Sequence, residues 1–127
     1  ADPNKIPREL SDFIEPDIAS QNYDELANRS FNMILKKNAE IALNKKFSDR
    51  FMQDILLSTG NSKLVWNDYN EPILGIGPKK NGENFVGLYL MQLRNKIKEE
   101  RKGETIKNLT VEHINMIVNE DKFIKVY

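Results

Sequence analysis

Apolar residues recur at helical spacing over four stretches of this chain. Leu26, Phe31, Ile34, Leu35, Ile41, Ala42 and Leu43 return near every third or fourth position and predict a long helix over 23–46. Ser48 is placed to cap a second helix, with Phe51, Met52, Ile55 and Leu56 inward and Gly60 just past its end. Val86, Leu90, Leu93 and Ile97 form the inward stripe of a third helix over 85–101, which Gly103 stops. Thr110 is positioned to cap a last helix carrying Val111, Ile114, Ile117 and Val118. Short strands are expected over 63–66, turned by Asn67-Asp68, and over 123–127. The segment up to Asn22 is acidic and carries Pro3, Pro7 and Pro16. It reads as an arm with one short helix after Pro7, since proline suits a first helical turn. The pattern therefore predicts a mainly α fold with minor β: a compact helical domain over 23–127 with one or two short strands, preceded by an arm over 1–22.

Composition narrows the function classes. A chain of 127 residues, 39% of them hydrophobic, suits one domain with a modest core and is not the composition of a disordered chain. Its formal net charge of +0 removes any global electrostatic argument for nucleic acid or for a membrane surface. The absence of cysteine excludes a disulfide scaffold, a zinc–thiolate centre and thiol catalysis. No apolar run approaches the roughly 20 residues of a spanning helix. No apolar signal-peptide core is visible either, and a cytoplasmic location is expected. The chain opens on Ala1-Asp2-Pro3 without an initiating Met, as a processed or engineered start would. Sequons at Asn28-Arg29-Ser30 and Asn108-Leu109-Thr110 fit chance in an Asn-rich chain.

Candidate chemistry concentrates in two glycine-bearing segments, Asn70-Glu71-Pro72-Ile73-Leu74-Gly75-Ile76-Gly77 and Gly82-Glu83-Asn84-Phe85-Val86-Gly87. Glycine lets backbone approach a ligand or another segment closely. The helix that follows offers N–H groups and a positive dipole end, which suit a phosphate. The spacing is neither that of a P-loop nor that of a dinucleotide fingerprint, because Lys80 stands where the third glycine belongs. Two turns and a helix N-terminus account for the same residues without a ligand.

The run from Ala42 to Ile97 resembles the C-terminal half of the NADAR superfamily, N-glycosidase-like domains linked to NAD, ADP-ribose and riboflavin-pathway intermediates. Six motifs occur in the family's order. They are Ala42-Leu43-Asn44-Lys45-Lys46-Phe47, Leu56-Leu57-Ser58-Thr59-Gly60, Leu64-Val65, the loop from Asn70 to Gly77, the turn from Gly82 to Gly87, and Leu90-Met91-Gln92-Leu93-Arg94. Departures are equally specific. Leu74 replaces the loop tryptophan, Glu71 replaces the loop aspartate, and Phe31 falls near an upstream tryptophan. The family's Ser-x-Glu-His-Tyr helix, with its catalytic glutamate, has no counterpart; Glu15 and Glu25 are the nearest acids and lack its neighbours. The chain reads as a fragment of a larger domain or as a divergent member.

The resemblance implies hydrolysis of an N-glycosidic bond without metal or cofactor, in which a carboxylate activates water or stabilises a ribosyl cation. Glu71 takes the catalytic position, with a solvated turn carboxylate as the alternative. Asn84 would meet a phosphate or ribose oxygen, or serve as a helix cap. Gly75, Gly77, Gly82 and Gly87 would shape the pocket wall. Trp66 and Tyr69 are candidates to stack on a base, as is Phe31 by position. Lys46 and Arg94 are candidate phosphate contacts, or else a helix C-terminal charge and an interhelical ion pair. His113, the only histidine, has no ligand-spaced companions and reads as a helix N-terminal residue. The basic run Arg94, Lys96, Lys98, Arg101 and Lys102 is interrupted by Glu99 and Glu100 and reads as a solvated helix face.

The implied ligand is a small ribosyl phosphate: ADP-ribose, NAD, a ribosylamino-pyrimidine phosphate, or ADP-ribosylated guanine, the last being the one route to nucleic acid. No membrane partner is expected, and the oligomeric state is open. Two other readings stand beside the glycosidase: a non-catalytic module that binds such ligands or a protein partner, and a structural C-terminal lobe of a longer enzyme.

Overall fold

The computed structural model describes residues 23–104, 111–120 and 123–127. The arm over 1–22 and the Thr110 cap lie outside the described residues. The chain divides into two compact units, residues 1–35 and 36–127. Helix α1, Tyr23–Lys46, runs through that boundary with the predicted limits. Its first turn carries Asp24 and Glu25 and its last turn Lys45 and Lys46, the arrangement a helix dipole favours. In the first unit, Phe31 and Ile34 are 62% and 59% exposed. The inward stripe expected there is thus not buried, and neither is Ile41 in the second unit. α1 is longer than the core it serves; Leu43 is its buried residue, and Phe47 follows it inward.

In the second unit, α1 is followed by α2, Arg50–Ser58; β1, Leu64–Trp66; α3, Phe85–Glu100; α4, Val111–Glu120; and β2, Ile124–Val126. The described architecture is mainly α with minor β. β1 and β2 form an antiparallel pair, with Leu64 opposite Val126, Val65 opposite Lys125 and Trp66 opposite Ile124. Ile55, Leu56, Leu64, Leu90, Ile117 and Ile124 are fully buried and join α2, α3, α4 and the two strands in one core.

The cap of α2 is Asp49, not Ser48. The Asp49 carboxylate accepts from the Met52 N–H at 2.9 Å, and the Ser48 hydroxyl turns back to donate to the Lys45 carbonyl at 2.6 Å. One residue ends α1 and the next starts α2. Phe51 is not inward; it is exposed, with its ring edge-on to His113 at 6.0 Å. Gly60 takes the expected left-handed position after the Thr59 cap, with φ 63°.

Arg101, at the C-terminal cap of α3, is buried and meets the Asp54 carboxylate of α2 at 2.7 Å. Its Nε also donates to Glu104 at 3.0 Å, and Glu104 accepts from Arg50 as well. Burial disfavours the Arg101 charge, but the bonds to Asp54 and Glu104 outweigh it and raise the pKa above the usual arginine value. The bond from Arg101, followed by that from Arg50, lowers Glu104 below its ordinary value. Among the described residues no helix is long and apolar enough to cross a membrane.

Candidate functional site

The glycine-bearing loop between β1 and α3 is built around Asn84. This residue sits at φ 51°, ψ 44°, a left-handed conformation that asparagine tolerates better than most residues. Its side chain makes no helix cap. Instead its Oδ1 accepts from the Trp66 N–H at 2.8 Å, and its Nδ2 donates to the Leu64 carbonyl at 3.2 Å. The amide thus bonds to β1 as a neighbouring strand would.

Backbone groups at the start of α3 are similarly committed. The Asn84 N–H donates to Gly75, the Phe85 N–H to Ile73 and the Val86 N–H to Leu74, at 2.9, 3.1 and 3.0 Å. These donors were the expected phosphate contacts; the loop's own carbonyls take them. A short peptide turn is a better-placed acceptor than an external anion, because it is tethered at both ends.

The glycines serve the same packing. A Cβ at Gly75 would lie 2.6 Å from Trp66 Cδ1, and one at Gly82 would lie 2.6 Å from the Gly75 carbonyl oxygen. At Gly87 a Cβ would collide with the Leu64 carbonyl oxygen and the Asn84 amide, so α3 rests directly on β1. Gly77 turns over Pro72. Glu71 is half-buried, and its Oε1 accepts from the Ile73 and Leu74 N–H groups at 3.0 and 3.3 Å. It caps the turn that feeds those carbonyls to α3.

Of the remaining predicted residues, Lys46, Trp66 and Arg94 line two clefts, to which neither Glu71, Asn84 nor Tyr69 contributes. Lys46 and Trp66 come together in the first, of about 240 Å³, with Leu74 and Val86. Trp66 Nε1 is buried and has no hydrogen-bond partner among the described residues. The Trp66 ring also lies 5.8 Å from that of Phe123, at a tilt of 31°. Phe31 belongs to the other unit and is exposed.

Arg94 lines the second cleft, of about 180 Å³, with Gly60, Asn61, Asn95 and Lys98. It is 7% exposed. Its Nη1 donates to the Thr59 hydroxyl at 2.8 Å, and that hydroxyl donates to the Leu56 carbonyl at 2.6 Å. The acceptor is a neutral hydroxyl, and no carboxylate lies within ion-pairing distance of Arg94 among the described residues. The interhelical ion pair considered for it is therefore not formed there. Burial lowers its pKa below the usual arginine value. Sequence reading gave Thr59 and Asn61 no part in a site and read the run from Arg94 to Lys102 as a solvated face; Lys98 is exposed as expected, whereas Arg94 is buried. The available signal was the i, i+4 spacing of Arg94 and Lys98, which puts both on one side of a helix.

No family model, curated protein or solved structure matched the chain.

Proposed function

We propose that this chain is a NADAR-like module that binds a ribosyl phosphate ligand without hydrolysing it, with Arg94 as the phosphate contact. The observation that carries the reading is Arg94 itself: a buried arginine, without a carboxylate partner among the described residues, at the wall of a cleft that also holds Lys98. Desolvating a cation is costly unless an anion compensates it. A phosphate accepts the fork of a guanidinium well, and Lys98 adds a second charge at i+4. The resemblance supplies the ligand class: ADP-ribose, NAD or a ribosylamino-pyrimidine phosphate.

Hydrolysis is disfavoured by the duties of the other two residues. Glu71 caps a turn, and Asn84 holds β1. A structural lobe of a longer enzyme is the second reading, favoured by the exposed Phe31, Met33 and Ile34 on α1.

Calorimetric titration of ADP-ribose and of ribose 5-phosphate into the wild type, Arg94→Gln and Lys98→Gln tests the proposal. Binding should weaken about tenfold to a hundredfold in Arg94→Gln, the scale of one charge-assisted hydrogen bond. Lys98→Gln should weaken it less, with an unchanged melting temperature. No heat with the wild type returns the structural-lobe reading to the front. Steady release of free base from a ribosylamine phosphate would show that the chain is an enzyme.

A further inference from the structure

The outer face of the two-stranded ribbon carries a third cleft, and of the candidate residues named from the sequence it holds Tyr69. It is an open cleft of about 500 Å³, lined by Lys63, Val65, Asn67, Tyr69, Lys80 and Tyr127, among others. That volume lies within the ~300–1,000 Å³ typical of small-molecule sites.

Strand register explains why these residues meet. Lys63 and Tyr127 exchange backbone hydrogen bonds in both directions, at 3.2 and 2.9 Å, so they oppose each other across the ribbon. Side chains two residues apart share a face, which adds Val65 and Asn67 beside Lys63. Lys125 stands opposite Val65 and brings a further exposed cation to that face. The loop supplies the opposite wall. Lys80 Nζ lies 5.8 Å from the centre of the Tyr69 ring, and Asn67 Nδ2 approaches the Tyr69 hydroxyl at 3.5 Å. Among the described lining residues there is no Asp or Glu.

The cleft thus pairs two cations with two tyrosine rings, on a chain whose total charge is zero. Its positive character is local. Ammonium groups beside flat aromatic faces, with an amide able to donate and accept, are the elements that hold a phosphate and a nucleobase at once. An acidic peptide would engage the lysines but leave the rings unused; an apolar ligand would leave the lysines unused. We propose that this cleft is a nucleotide-binding site, taking one phosphate-bearing nucleotide unit between Lys63, Lys80 and the rings of Tyr69 and Tyr127. The unit can come from a free mononucleotide or from the end of a single strand.

Titration of adenosine 5′-monophosphate and of an eight-residue oligoadenylate, each followed by amide chemical shifts, tests the site. Adenosine is the control without phosphate. The expected result is shifts centred on Lys63, Asn67, Tyr69 and Tyr127, with affinity falling as salt rises. Lys63→Gln combined with Lys80→Gln should weaken binding tenfold or more, and Tyr127→Ala by a similar factor. Lys96→Gln, on the exposed face of α3 and in none of these clefts, should change nothing here. Tighter binding of the mononucleotide identifies the free ligand, and tighter binding of the oligomer identifies a strand end. Lys63, Lys80 and Tyr127 are exposed, so melting curves should confirm that the variants fold. The proposal is overturned if neither probe binds, if the lysine variants bind as the wild type does, or if the shifts centre on the Arg94 cleft instead.

Discussion

The Asn84 side chain accepts a hydrogen bond from the backbone N–H of Trp66, eighteen positions earlier in the chain. With its second bond to Leu64, it ties the end of the loop to the strand that begins it.

Asn84→Ala should therefore be a stability variant first. It removes the partners of one backbone donor and one backbone acceptor at a half-buried strand. A loss of about 2–3 kcal/mol is expected, from the cost of leaving such groups unpaired. Urea unfolding of the wild type and Asn84→Ala measures it. Weaker ligand binding without any loss of stability would reveal a role for this amide that its hydrogen bonds do not explain.

Gly87 and Gly60 separate two reasons for glycine. Gly87→Ala places a methyl against the Leu64 carbonyl and the Asn84 amide, neither of which can move without breaking the loop. Overpacking of this kind costs about 1–3 kcal/mol, and the upper end is expected because the obstruction is backbone. At Gly60 a Cβ meets nothing within 4 Å, but φ is 63°. Gly60→Ala should cost about 1–2 kcal/mol, from left-handed strain alone. Thermal melts of the two variants should rank them in that order; the reverse ranking would mean that α3 does not rest on β1 as described.

Glu104 gives the chain a pH signature. The hydrogen bond from Arg101, and then that from Arg50, holds its carboxyl below the ordinary value. A depressed carboxylate favours the folded state fully above its unfolded pKa, about 4.3. That contribution fades as pH falls through the lower folded value. Glu104→Gln should be less stable than the wild type at neutral pH, and the gap should narrow as the medium becomes more acidic than about pH 4. Melting temperature against pH for both proteins checks this; a constant gap down to strongly acidic pH would exclude Glu104 as its source.

Much of the fold was legible because helical periodicity is a local signal. The limits of α1, the two short strands as separate segments and the Gly60 turn follow from residues close together in sequence; the pairing of β1 with β2 joins residues about sixty positions apart and was not legible. Side-chain burial along α1 was not legible, since Phe31 and Ile34 have the spacing of a core stripe but nothing described covers them. The candidate site was harder for the same reason. An Asn between two glycines before a helix looks alike whether its amide caps that helix, meets a ligand or bonds to a strand. Only the return of the loop onto Trp66 and Leu64 distinguishes these cases. Arg94 was identifiable as a cation on the inward helix; that no described carboxylate pairs with it depends on contacts across the fold. The ribbon cleft joins Lys63 to Tyr127 across 64 positions, a distance over which local patterns carry no information.

The sealing of β1 by a side chain has a consequence for solubility. A three-residue strand pairs with β2 along one edge and would ordinarily leave the other as a row of free donors and acceptors. Such a row is a template for strands of other molecules. Here the Asn84 amide occupies the Trp66 N–H and the Leu64 carbonyl, and the Ile76 N–H takes the Trp66 carbonyl at 3.1 Å. The loop that looked most like a ligand cradle therefore works as a guard against edge-to-edge association.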